Sequence, residues 1–441
     1  MLSEMGNAYG QTAVTLDDLP AEVLWMILRE KVDPVDCVAC TRVCVLWRQT
    51  LLAARETKSR RRNGKVAALA YMAAVARNGR IRVMDWAKAS GCAWDWKVCV
   101  EAAKGGHLEV LEWAKSNGCS WVPGGTDQAH NGAVERTRVA GYPWTKDACE
   151  WAAYHGHQDV IEWARANGCS WDESVCRGAA RGGHQEMLEW ARENGCPWDD
   201  RVCSGAASGG HLETLKWARE NGCPWSSGTC AAAAGGGRLE VLKWARANGC
   251  PWDEWTCTAA AGDGHLDVLK WARVSGCSWN EWTCAYAARC GHVDVLRWAH
   301  ENGCPWDAHT TICAAAQGHL ETIEWAHANG CPWDEKVCAT AARYGHLDVL
   351  EWARANGCPW DEQTCASAAE DGHMVVLKWA RENGCPWNED TCTNAATFGH
   401  LKVLKWARAN GCPWDKSAWI WAEKHGHSEV AEWARANGCP A

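Results

Sequence analysis

The stretch from Asp253 to Trp279, DEWTCTAAAGDGHLDVLKWARVSGCSW, decides the fold. It carries the signals of two short helices. Asp253 is a good N-cap residue, and Glu254 in the following turn suits the positive end of the helix dipole. The first helix runs through Cys257 and the alanines until Gly264 breaks it. His265 starts the second, with Asp267 in its first turn, Val268, Leu269 and Trp271 on its apolar face, and Arg273 in its last turn. Gly276 fits the left-handed position just past a helix end. In most units Pro follows two residues later, as in Gly249-Cys250-Pro251, and prevents continuation.

Outward from this stretch the pattern recurs. Gly91-Cys92 and Gly118-Cys119 are one step of 27 residues apart, and from Gly168-Cys169 to Gly438-Cys439 the step is again 27. The composition, 34 Trp and 28 Cys beside a single Phe, is the trace of one unit copied many times. A unit this small cannot bury its apolar face alone. About fourteen of them stacked form an all-α solenoid, because each unit closes its core against its neighbours. We assign it to 65–441. One stretch departs: from Trp121 to Trp144 the step is 23 residues, and VPGGTDQAHNGAVERTRVAGYP has no Gly-His start and no Trp-Ala-Arg ending. The segment 122–144 reads as an irregular unit, either decayed or the product of a faulty gene model, with a loop or loosely packed turn expected.

The run from Ala206 to Leu215, AASGGHLETL, resembles the core of an ankyrin repeat, and the Asn-Gly-Cys-Pro stretch matches the place of that family's turn. The usual ankyrin unit has about 33 residues. The missing residues fall where ankyrins make a projecting β-hairpin. The resemblance, which covers Lys65 to Ala441, therefore implies reduced or absent hairpins and a nearly all-helical stack. Short Trp- and Cys-rich units of this kind are a feature of ankyrin-like proteins of giant DNA viruses and some protists.

Ahead of the array stands LDDLPAEVLWMILREKVDPVDCVACTRVCVLWRQTLLAA, Leu16 to Ala54. Leu19-Pro20 opens a helix with Val23, Leu24, Ile27 and Leu28 as one stripe. Asp33-Pro34 breaks it, and Asp36 begins a second amphipathic stretch with Cys40, Val43, Cys44 and Trp47. About 40 residues in three short helices make too small a core to stand alone, so the segment needs a partner. It resembles an F-box, through Leu19, Pro20, Glu22, Val23, Leu24, Ile27 and Leu28, then Asp36, then Val43, Cys44, Trp47 and Arg48 at the family's spacing. The resemblance implies a small three-helix domain over 15–54 that docks on the Skp-type adaptor of SCF ubiquitin ligases. It also implies that Leu19, Pro20, Glu22, Ile27, Leu28, Val43 and Trp47 make the adaptor contact. The alternative is an N-terminal cap that shields the first repeat. Residues 1–14 read as a disordered N-terminus. The basic linker 55–64, RETKSRRRNG, is either a nuclear localisation signal or a solvated helix end.

Several function classes are excluded. A net charge of −9 argues against a general nucleic-acid or acidic-membrane surface. No apolar run reaches the length of about 18 residues that a membrane helix needs. Met1 to Thr15 has neither the basic nor the apolar region of a signal peptide, so a reducing compartment, cytoplasm or nucleus (of a host cell if the chain is viral), is expected, with the cysteines as thiols. The recurring Cys-x6-Cys-x7-His, as in Cys196, Cys203 and His211, invites a zinc reading, but structural zinc sites use tight pairs, and single copies lose members without losing frame. Arg238 replaces the His; Thr126, Thr311 and Trp419 replace the second Cys. A buried Cys beside alanines serves as a small apolar filler. The His is expected at the inter-helix turn, bonded to local backbone. Two Trp columns, Trp190, Trp217 and Trp244 in second helices and Trp198, Trp225 and Trp252 after the turns, read as packing ladders. No nucleophile motif, phosphate loop or carboxylate pair stands outside the repeat. The sequence therefore gives no case for catalysis, a metal or a cofactor.

What varies between copies is free to specify a partner. Counted from the helix Cys, the variable positions lie two before, two after and five after, a spacing that lines one helix face. Trp282-Tyr286-Arg289 and Lys336-Thr340-Arg343 are examples. Tyr, Trp and Arg are favoured interface anchors. The expected target-binding residues are Trp255, Trp282, Tyr286, Arg289, Arg343 and Tyr344, against the alternative that exposed positions simply drift. The expectation is a binding protein, monomeric outside its complex, with a Skp-type adaptor and an unknown target protein as partners.

Overall fold

The computed structural model describes residues 69–118 apart from 71, 90, 91 and 93, then 146–167 and 172–440. The F-box-like segment 15–54, the linker 55–64 and the irregular unit 122–144 lie outside these residues. The described chain is a helical repeat array, and among its residues there is no strand. It falls into two compact units. One is made of the described residues up to Ala179 together with Glu189–Cys196; the other comprises Ala180–Leu188 and the described residues from Pro197 onward.

The pair Glu254–Gly262 and Leu266–Val274 shows how each repeat is made. Asp253, in extended backbone, accepts a hydrogen bond from the backbone N–H of Trp255 at 3.1 Å. The caps Asn280, Asp307, Asp334, Asp361 and Asn388 do the same at later repeats. A pure propensity argument would have made a nine-residue helix marginal in water; burial on both sides makes it stable. Gly264, at φ +78°, turns the chain, and the N–H of His265 returns to the carbonyl of Ala260 at 2.8 Å. The second helix ends on a polar residue and a left-handed glycine. Asn248, for example, donates its Nδ2 to the carbonyl of Trp244 at 2.8 Å, and Gly249 follows at φ +81°.

The core is thin and continuous. Cys257, Ala260 and Ala261 from the first helix and Val268, Leu269 and Ala272 from the second are fully buried. The same column continues as Leu296, Ile323, Leu350 and Leu377, all without exposed surface. Small residues on the first helix let neighbouring first helices lie directly against one another. Second helices rest mainly on the first helix of their own repeat and touch one another little.

The histidine of Gly-His corrects one expectation. Its ring does not bond local backbone. It reaches into the preceding repeat: His346 donates from Nε2 to the carbonyl of Ala316 at 3.3 Å, and His107 to that of Arg77 at 3.0 Å. The ring also lies under the left-handed glycine of that repeat. A Cβ on Gly318 would stand 2.5 Å from Nδ1 of His346, and one on Gly264 would stand 2.8 Å from Cε1 of His292. Gly and His recur together because each repeat's glycine makes room for the next repeat's ring. The histidines consequently make no capping bond to their own helices.

Candidate protein-binding surface

Most of the residues that suggest chemistry are used up in holding the stack. From Cys196 to Cys412 the turn cysteines are buried and donate their thiols to the carbonyl of a residue 24 positions earlier; Cys277 to Asp253 and Cys223 to Asp199 are both 3.3 Å. Cys277 also meets a helix cysteine. Hydrogen bonding to Cys277 and then burial push the thiol of Cys257 up, and the reverse hydrogen bond lowers Cys277. Cys331 faces Thr310 instead of a second thiol, and burial pushes it up to about 12. The cysteines are thus donors as well as fillers, and the helix cysteine of each pair is held as the neutral thiol. Among the described residues no group of three or more His, Cys, Asp and Glu is placed to hold a metal ion.

The tryptophans form a ladder. Trp252 stands edge-on to Trp271 with ring centroids 5.9 Å apart, and the same contact recurs between Trp279 and Trp298. The guanidinium of Arg246 lies 4.2 Å over Trp252, and that of Arg273 lies 4.0 Å over Trp279. Each arginine also donates to the carbonyl of the cysteine four residues on, which fixes the fork over the ring. Where the arginine is absent, His300 and His327 stack on Trp306 and Trp333 at 3.6 and 3.8 Å. These rings are half-buried, with one face covered by a cation or imidazole. They do not form a row of open stacking platforms of the kind single-stranded nucleic acid uses.

What remains for a partner is the outer face of the first helices. The stripe of variable positions does lie there, but it is less uniform than its variability suggests. Its central position sinks between neighbouring helices in several repeats, as at Gly178, Gly205 and Ser367, and one first position, Ser174, is also only 8% exposed. The ends of the stripe stand out. Trp255 is 50% exposed and Trp282 39%. Tyr286 is half-buried between them: its ring stands edge-on to Trp255 at 6.2 Å and to Trp282 at 6.4 Å. Arg289, one turn further along the helix of Tyr286, is exposed. These four of the six expected residues form one patch.

The other two do not join it. Arg343 and Tyr344 end the helix Glu335–Tyr344, two repeats further on, with the helix Ala308–Gln317 between. Both are exposed, but Arg343 is engaged by Glu370 of the next repeat at 2.5 Å and by Asp371 at 4.0 Å. The structure adds two residues that sequence comparison missed. His309 lies against Trp282 at 5.6 Å, and the exposed thiol of Cys290 follows Arg289. His309 occupies the same column as Trp255 and Trp282, so its signal was present. A second aromatic group stands near the start of the described array. Trp151 contacts Tyr154 and His155, and Lys104 covers the Trp151 ring at 4.6 Å. The adaptor-contact residues Leu19, Pro20, Glu22, Ile27, Leu28, Val43 and Trp47 lie outside the described residues.

Among the described residues no helix is long and apolar enough to cross a membrane. No family model and no curated protein matches the chain. Among solved structures, the crystal structure of the human ASB11 ankyrin repeat domain is similar to it, at 19% identity over 42% of this chain and 99% of that one, with a TM-score of 0.34.

Proposed function

We propose that this chain is a protein-binding adaptor of the ankyrin type, whose array holds a target through the first-helix face. The F-box-like segment from Leu19 to Trp47 presents that target to an SCF-type ubiquitin ligase by docking on a Skp-type adaptor. The observation that carries the binding reading is the patch of Trp255, Trp282 and Tyr286. There Trp255 and Trp282 are 50% and 39% exposed on either side of Tyr286, whereas the paired tryptophans of the ladder, such as Trp252 and Trp271, are half-buried. Exposed aromatic clusters on soluble folds mark interaction surfaces. Support for the adaptor half is the Leu19-Pro20 and Val43-Cys44-x-x-Trp47-Arg48 pattern alone.

Affinity capture with three full-length forms separates the two halves. The intact chain should recover both a Skp-type adaptor and a target. Leu19→Ala/Pro20→Ala should keep the target and lose the adaptor. Trp255→Ala/Trp282→Ala should keep the adaptor and weaken the target by about tenfold or more, the scale of an anchor residue at an interface centre. A scaffold without ubiquitin transfer gives target and no adaptor with every form. Equal recovery of the target by all three forms would remove the patch from the account.

A further inference from the structure

We infer that the Trp255–Arg289 patch takes an acidic peptide segment: a large apolar side chain seated on the three rings, and a carboxylate two or three residues away held by Arg289. This rests on the protein-binding reading above and names the partner's chemistry.

Arg289 stands five residues after the helix cysteine of its repeat, Cys284. At the same column Arg77 and Arg343 are met from the following repeat, Arg77 by Glu101 at 3.6 Å, whereas Lys104 pairs with Glu101 of its own helix at 2.6 Å. Arg343 has Glu370 and Asp371, which stand at the equivalent column and one beyond it in the following repeat. In the repeat after Arg289 those two positions are Ala316 and Gln317. Among the described residues Arg289 accordingly has no carboxylate partner. Its guanidinium is exposed, beside an aromatic cluster that lowers the local water content, where an incoming carboxylate gains a charge-assisted and geometrically specific contact.

The ground on the other side of the rings is low. The preceding first helix, Ser227–Gly235, reads SGTCAAAAG and presents Gly228, Ala232 and Gly235 at the columns where Trp282, Tyr286 and Arg289 stand. Trp255 and Tyr286 therefore rise as a step beside a floor of small residues, and the ring of Tyr286 lies against Gly262, 3.4 Å from where a Cβ there would stand. An apolar side chain seated in that step touches ring edges and backbone at once. From Tyr286 to Arg289 is one helical turn, roughly 5–6 Å between side-chain origins. Neighbouring helices are about 10 Å apart, and extended chain advances about 3.3 Å per residue. A segment crossing the patch thus places its carboxylate two or three residues from its apolar anchor. Glu254 and Glu281 sit at the opposite, N-terminal ends of these helices, and the carboxylate of Asp263 reaches over Gly235 of the preceding repeat, so Arg289 stays the cation that an incoming carboxylate meets.

The test uses the full chain and fluorescent nine-residue peptides, Ser/Gly-rich, carrying one Leu and, three residues on, Asp, Asn or Lys. Polarisation should rank Asp over Asn by about tenfold, with Lys weakest. Arg289→Glu should reverse the order so that the Lys peptide binds best, a result that loss of folding cannot produce. Bound Asp peptide should also slow alkylation of Cys290, followed by mass mapping of that residue, because the thiol lies next to Arg289. Equal binding of the Asp and Lys peptides, no binding of any, or an unchanged preference in Arg289→Glu overturns the inference. Target capture that is lost in Trp255→Ala/Trp282→Ala but kept in Arg289→Glu leaves the protein-binding reading standing while removing this one.

Discussion

Gly318→Ala should destabilise the array by about 2–4 kcal/mol, whereas Gly330→Ala, in the same repeat, should cost only about 1–2 kcal/mol. Both glycines are left-handed, at φ +72° and +82°, so any side chain at either is strained by the backbone alone. They differ in what a Cβ would meet. At Gly330 there is open space; at Gly318 the ring of His346 lies 2.5 Å away. The additional cost at Gly318 is that of forcing the ring off its seat and breaking its bond to the carbonyl of Ala316. Urea melts of the two variants, together with Gly318→Ala/His346→Ala, measure it. The double variant should recover much of the difference, because removing the ring restores the space. Equal losses at the two glycines would show that backbone conformation alone accounts for Gly-His, and that no clasp between repeats exists.

Leu350→Ala should cost about 2–5 kcal/mol, the range for deleting a buried leucine side chain. Leu350 has no exposed surface and shares a buried column with Leu296, Ile323 and Leu377. In a solenoid, stability is a sum of repeat terms and neighbour interfaces. A cavity here therefore weakens the repeat holding Leu350 and the interfaces on both sides of it, and the melt should broaden or split instead of shifting as one step. Equilibrium unfolding followed by Trp fluorescence and by circular dichroism is the check. A loss below about 0.5 kcal/mol, typical of surface substitutions, would mean the column is not the core.

The caps, the glycine stops and the two-helix unit were legible in the sequence because each is a local requirement. Asp253 needs only the next turn, and Gly276 only its own φ. The contacts that sequence reading misplaced run between repeats. His346 finds its acceptor 30 residues back, and Arg343 finds Glu370 27 residues ahead. Neither partner is visible within one unit. Reading down a column from copy to copy exposes the second pair, since 27 is the repeat step, but not the first, whose acceptor is a backbone carbonyl. The stripe was placed on the correct face by its spacing. Its depth was not, because the burial of Ser174 and Ser367 depends on how closely neighbouring first helices approach.

Hydroxyl-radical footprinting of the full chain, alone and bound to a protein recovered by the intact form, tests the binding face most directly. Indole and phenol rings oxidise readily, and Trp255, Trp282 and Tyr286 stand on first helices. The account predicts that binding suppresses oxidation of Trp255, Trp282 and Tyr286 and leaves Val274, 88% exposed at the end of a second helix, unchanged. Protection of Val274 and its second-helix neighbours, with Trp255 and Trp282 as reactive as before, would contradict it.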